Sequence, residues 1–558
     1  MANERLELKE VGSDRTPHVE AMPDTRECLI DDVSKDVRTG FTVNDQRDMH
    51  RMGKKQEMRR NFRLISTIGF TTCIMGTWEN VLTSTSQGLR TGGRPCLFWS
   101  LVWAYCGQLF IVLSLAEMSS MAPTAGGQYH GGSLSRTTES VKLKLLTSGY
   151  LNSLLGNTKG FLAMPPVGWL SALAWQSVVA FDTYLTGTMI QGMVFLNNET
   201  YVPTRWQGTL IVSAASIGMS LFNIFAAKHL PLAEGIFVTF HFFAFAPIIV
   251  TVLVLAPKAK AQDVFFGFKD HGAGWENPSL AVMIGQVSQM FTVMGSDSVA
   301  HMSEEIENAG VTVPQSMILS FFLNMPFAIG SVLTYLFIMP NMQEALDSPT
   351  GLPFIHVFSE ATKNVTGASI LVVVILLLFF MITISCIASA SRQTFAFARD
   401  NGLPFSAWLG AVHPTLHIPV NSVIITCAFS LIMFLINIGS GVAMNALLSL
   451  STSPLMATYM ISIACVIVRR ITKSPPLPPS RWSLGRFGMP INILALVYAL
   501  WAFFWSFWPV NGEVTAETLN WAPVLFVGVM GLSAVLYWLV ARKVYEGPVV
   551  KVEGRKFH

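Results

Sequence analysis

The chain has 558 residues, of which 51% are hydrophobic and only 13% charged, and its net charge is +3. Soluble proteins carry roughly 25% charged residues, so the composition excludes an ordinary string of globular domains. The small net charge, with no basic face, gives no ground for nucleic-acid binding. Seven scattered cysteines without a CxxC pair point neither to a disulfide framework nor to a zinc site.

The elements are taken in chain order. Residues 1–60 are polar, lack the apolar core of a cleavable signal and are predicted to form a disordered cytoplasmic tail. Residues 61–545 are predicted to form one membrane domain, and 546–558 a short cytoplasmic tail. Within the domain, twelve stretches are long enough to cross about 30 Å of hydrocarbon at about 1.5 Å per residue. They lie near 64–87, 96–118, 167–196, 206–227, 232–256, 279–304, 315–339, 366–391, 419–438, 441–468, 489–511 and 521–541. The expected fold is therefore an all-α, twelve-span membrane protein. With both termini cytoplasmic, the cytoplasmic segments hold 23 Lys and Arg against seven outside, as the positive-inside rule requires. That orientation also places both glycosylation sequons outside, at Asn198 and Asn364.

Spans one and six share an echo, CIMGTWEN against TVMGSDSV. Each has Met-Gly, then a hydroxyl residue, then an acid: Met75, Gly76, Thr77 and Glu79, against Met294, Gly295, Ser296 and Asp297. Glycine-interrupted helices at matching positions of two halves are the sequence sign of an inverted-repeat transporter. Unwound backbone at the midplane is tolerated only where it lines a cavity. There, free N–H groups hold a carboxylate, while carbonyls and acids hold an ammonium or a cation.

Four stretches carry a family resemblance: AEMSSMAPTAGGQYH, GSDSVAHMSEEIENAGVTVP, SRQTFAFARDNGLP and NGEVTAETLNW. Over residues 60–545 the chain resembles fungal members of the amino acid-polyamine-organocation superfamily, in the amino acid/choline permease branch that includes GABA permeases. The resemblance implies a five-plus-five inverted repeat with two extra helices and discontinuous helices one and six. It also implies secondary uptake of an amino acid, choline or related amine at the plasma membrane. Carried over, the substrate site falls on Thr77, Trp78 and Glu79 with Gly76 at the break, and on Gly295, Ser296 and Asp297. Two stretches depart from the family pattern. Residues 131–166 intervene after GGQYH, and the hypothesis is that part of them is a retained intron in the gene model, which spliced message would test. GVTVP stands where the superfamily commonly has basic residues, so a cytoplasmic gate must find its cation elsewhere, with Arg392 and Arg399 as candidates.

Each polar residue has a plainer reading beside the functional one. Asp297 facing lipid at midplane costs at least about 2.5–3.5 kcal/mol, so it faces inward, either toward substrate or as a helix cap. His301 serves coupling or pairs with a carboxylate. Glu304, Glu305 and Glu307 belong to a cytoplasmic gate or anchor a loop. Glu79 meets an amine or bonds to unwound backbone; Trp78 offers a cation–π face or packs. His241, about 13.5 Å into span five by helix rise, is a proton carrier or a neutral imidazole held by a carbonyl. Asp182 is its partner or lines the site. In a sodium-coupled version Thr383 and Ser385 are ligands, although membrane hydroxyls usually bond their own backbone.

No cofactor and no metal are expected, only a proton gradient. One proton crossing about 100 mV supplies about 2.3 kcal/mol and one pH unit about 1.4. Their sum of roughly 3.7 supports a solute gradient of several hundredfold. The other function classes rank lower: a transporter-like nutrient sensor needs longer cytoplasmic extensions, and an enzyme needs a motif such as HExxH or GxSxG, neither of which occurs. A symmetric channel does not suit unequal spans. The partners expected are a small amine or amino acid and the bilayer.

Overall fold

The computed structural model describes residues 40–127 and 165–541, apart from 199, 270–271, 340, 440–442, 474–475 and 516–517. Most of the 131–166 insert, residues 1–39 and the 546–558 tail therefore lie outside the described residues. The described residues are helical, with no strand and one isolated parallel bridge, Phe62 to Ile306. Nine of their helices are long and apolar enough to cross a membrane.

Helix α1, Val43–Arg51, precedes the membrane region. The first predicted span is two helices, α2 (Leu64–Met75) and α3 (Thr77–Thr83), separated by Gly76. The next four are α4 (Ser86–Met121), α5 (Pro165–Asn197), α6 (Arg205–Phe225) and α7 (Leu230–Leu255). The sixth is in pieces, α8 (Pro278–Gly285), α9 (Val287–Thr292) and α10 (Ser298–His301). Then follow α11 (Ala309–Phe337), α12 (Val365–Arg399), α13 (Val420–Gly439), α14 (Ala443–Thr472), α15 (Gly488–Trp505) and α16 (Ala522–Leu536). Every predicted span thus has a helix or broken helix on it. The two broken ones and α5 are not among the nine that meet the length and apolarity criterion.

The ends have local causes. Asn277 and Asn364 accept from the first free N–H groups of α8 and α12 through their side chains. Asn364, one of the two sequon asparagines, is therefore also a helix cap; Asn198, the other, accepts from the Thr200 N–H and hydroxyl. Gly93, at φ 71, kinks α4 near its start, and Pro95 follows it.

Residues 40–60 correct the expectation of a wholly disordered tail. Asp45 and Arg60 are buried and paired at 3.3 Å. Asp45 accepts from the Asn308 and Ala309 N–H groups at 2.8 and 3.0 Å, capping α11 from outside. Arg60 donates to the carbonyls of Ser303 and Ile306. The Phe62 N–H donates to the Glu305 carbonyl and the Phe62 carbonyl accepts from the Glu307 N–H, on either side of the bridge to Ile306. Composition marked this stretch as polar; Asp45, Lys54 and Arg60 are held in place because each has a fixed partner. The outcome is a strap laid across the ends of α10 and α11.

Candidate functional site

Gly76 breaks the first span because its φ of 43 and ψ of 39 are left-handed, a conformation glycine adopts without a Cβ penalty. The break frees backbone groups that need partners in an apolar setting. The Asn80 side chain donates to the Met75 carbonyl at 3.1 Å, and Asn324 from α11 donates to the Thr72 carbonyl at 3.3 Å. The sixth span is unwound from Val293 to Asp297, with Gly295 at φ 96. A Cβ on Gly295 would meet Ile74 and Met75 at 3.5 and 3.7 Å, so the two breaks touch.

Between them is an enclosed cavity of about 20 Å3, lined by Ile74, Met75, Asn80, Met294 and Gly295 from the breaks. Trp175, Val178 and Asp182 from α5, Phe291 from α9 and Leu455 from α14 complete it. That volume holds about one water, so the site is contracted in this conformation. Its walls carry buried polar atoms that find no hydrogen-bond partner among the described residues: Asn80 Oδ1, Asp182 Oδ1 and Trp175 Nε1. An acceptor, an acid and a donor thus converge where two backbones are unwound. Buried polar groups normally find partners, and these are positioned to receive one.

The residues predicted for the site divide. Gly295 and Asp182 line the cavity. Ser296 is buried beside it with an unpartnered hydroxyl. Asp297 accepts from the Tyr459 hydroxyl at 2.6 Å and makes no side-chain cap on α10. Thr77, Trp78 and Glu79 turn away from the cavity. Thr77 donates to Asn324 at 3.1 Å, and Trp78 packs edge-on against Phe245 at 5.4 Å and tilted on His241 at 5.9 Å. Asn80, Trp175 and Leu455 were missed. Asn80 closes the CIMGTWEN stretch one residue past its acid, and the other two carry no signal in an apolar run.

Glu79 pairs with His241 of α7, Oε1 to Nδ1 at 2.6 Å, with both side chains buried. The partner of His241 is therefore Glu79, rather than Asp182 or a backbone carbonyl; Asp182 instead accepts from the Cys386 thiol at 3.3 Å. Seven residues earlier on the same buried face of α7, Glu234 accepts from the Ser385 hydroxyl at 2.5 Å, and its other oxygen has no partner. Sequence reasoning missed Glu234, whose place one turn inside α7 could have drawn notice. Thr383 bonds its own backbone at Phe379. His301 donates from Nδ1 to the Ala125 carbonyl at 3.0 Å, stacks edge-on with Trp175 and keeps Nε2 3.9 Å from Asp297.

Below the cavity lies a layer of ion pairs. Arg399 forks onto Glu304 at 2.8 and 2.6 Å, and Arg392 donates to Glu305 at 2.7 Å. The two arginines thus meet the acids that follow the broken sixth span, as the lack of basic residues in GVTVP required. Glu307 is engaged by Arg63 at 3.3 Å. The strap closes the layer from outside, with Gln56 donating to the Glu304 carbonyl and Lys54 paired with Asp400. Burial lowers the pKa of Lys54, and Asp400 opposes that shift. Among the described residues no group of three His, Cys, Asp or Glu is placed to hold a metal.

Comparison with known proteins adds an independent line. A family model described as amino acid permease matches residues 62–530. An uncharacterized amino-acid permease of Schizosaccharomyces pombe is 27% identical, covering 92% of each chain. The choline transporter of Saccharomyces cerevisiae is 26% identical over 90% of this chain and 86% of its own. The amino-acid permease BAT1 of Arabidopsis thaliana is 26% identical over 90% of this chain and 95% of its own.

Proposed function

The chain belongs to the amino acid permease family, and on that premise we propose that it imports an amino acid, choline, GABA or a related amine by proton symport with alternating access. It is a multi-pass membrane transporter and not an enzyme. The observation that carries the proposal is the cavity between the breaks at Gly76 and Gly295, with Asn80, Asp182 and Trp175 presenting unpartnered polar atoms to it.

Solute charge and site fit one another. Asp182 suits an ammonium, while Asn80, the Trp175 N–H and freed backbone N–H groups suit a carboxylate or hydroxyl. The site must expand to admit any of these, and rocking of one half of a five-plus-five repeat against the other supplies that motion. The ion pairs of Arg392 and Arg399 with Glu305 and Glu304 form the inner gate, closed here. The twelve-span layout, cytoplasmic termini, plasma-membrane location and glycosylation at Asn198 and Asn364 belong to the same reading.

Coupling is assigned to the Glu79–His241 pair, because the first span also carries one wall of the cavity. A proton held between carboxylate and imidazole neutralises a pair that would otherwise sit charged in an apolar shell of Trp78, Phe242 and Phe245. Loading and unloading it therefore biases the position of α3 against α7. Asp182, His301 and Glu234 are further protonatable groups along the path. Radiolabelled uptake of a panel of amino acids, choline and GABA, in cells lacking their own permeases, tests the proposal. Concentrative accumulation that rises as external pH falls is expected; signalling without flux would favour a sensor and overturn it.

A further inference from the structure

A groove of about 970 Å3 runs along the outside of the helix bundle between α2 and α7. Its walls are apolar side chains facing outward: Ile65 is 82% exposed, Phe243 76% and Leu232 68%. Gly235 lies on the groove, and a Cβ there would meet nothing within 4 Å, so the open space continues down to the helix backbone. From Leu232 to Phe243 the groove follows α7 for about 16 Å by helix rise. One leaflet of a bilayer core is about 15 Å deep, so the length matches a single extended acyl chain.

One end is charged. Arg63 lines the groove, its side chain is 81% exposed, and its contact with Glu307 is made by Nε. Its two terminal amino groups are thus left on an exposed side chain. Arg63 immediately precedes the first membrane helix, the depth at which phosphates lie, and Lys228 stands just before α7 at the same end. A cation at the headgroup level above an apolar channel of leaflet length is complementary to an anionic phospholipid.

We propose that this groove is a binding site for one anionic phospholipid, its phosphate on Arg63 and an acyl chain laid between α2 and α7 over Gly235. The lipid bridges the half-helix that ends at the Gly76 break and the helix that carries His241, so its occupancy sets how freely α2 moves.

The site is tested on the full-length protein reconstituted in vesicles of phosphatidylcholine and a sterol, with or without phosphatidylserine, then extracted gently and weighed by native mass spectrometry. The expected result is one phosphatidylserine retained in preference to phosphatidylcholine. Arg63→Gln should weaken that retention about tenfold, as for a lost charge-assisted bond. Gly235→Leu, which fills the floor and leaves Arg63 in place, should lower retention of both lipids. Equal retention of the two lipids by the unaltered protein overturns the proposal, as does replacement of phosphatidylserine by a sterol or an unchanged Arg63→Gln. The unaltered protein decides the first two outcomes without any variant, and mass rather than flux is read, so the result is separable from the transport reading.

Discussion

At His241 a single contact decides the chemistry available. The imidazole is closed in by Trp78, Phe242 and Phe327, and its Nδ1 meets Glu79. Glu79→Gln is therefore expected to leave facilitated exchange but to lose concentrative uptake, the accumulation ratio dropping from roughly several hundredfold toward unity. Steady-state accumulation against external pH checks this, and an unchanged profile would remove the pair from coupling. Gly76→Ala forces a side chain onto φ 43 and brings a Cβ within 2.5 Å of the Ile382 side chain. The strain should cost about 1–3 kcal/mol, read as a lower thermal midpoint in detergent, whereas Gly218→Ala, with open space around it, should not. Glycines and charges inside apolar runs are visible in one dimension, which is why Gly76, Glu79, His241 and Asp297 could be named from sequence. Their partners could not. Glu79 with His241 and Asp297 with Tyr459 are each 162 residues apart, and such pairings depend on which helix faces meet.

At the scale of elements, the broken spans and the strap act together. The Met-Gly echo located both breaks, because glycine at the turning point is the local cause of each. The strap was illegible, since polar composition reads alike in an unfolded tail and in a segment where charges such as Asp45, Lys54 and Arg60 find fixed partners. Its Asp45 completes the N-terminus of α11 and its Arg60 clamps the loop after α10. Asp45→Ala should remove a cap worth about 1 kcal/mol, add about 3–5 kcal/mol by leaving the buried Arg60 without its carboxylate, and expose the inner end of the sixth span. A cysteine at Ser303, modified from the strap side by a membrane-impermeant thiol reagent, should react faster in that background; equal rates would show the strap to be ornamental to the gate. Breaking the buried Arg399–Glu304 pair with Arg399→Ala should cost about 3–5 kcal/mol by leaving an unpaired carboxylate. The exchange Arg399→Glu with Glu304→Arg should recover part of it, measured as stability of the purified protein.

For the whole molecule, hydropathy placed a helix at each span but did not reveal which state the bundle adopts. Span positions follow from local apolarity. Closure follows from ion pairs among residues remote in sequence and from a cavity reduced to about 20 Å3. On the proposed reading these pairs are the closed inner gate, and the bundle passes through a wider state to carry an amine. The measurement that tests this most directly is concentrative uptake into proteoliposomes under an imposed proton gradient, comparing the unaltered protein with Asn80→Ala and Asp182→Asn. We expect pH-driven accumulation that collapses with a protonophore, together with a raised KM in both variants. Accumulation with unchanged KM in both would contradict a substrate site between the two breaks.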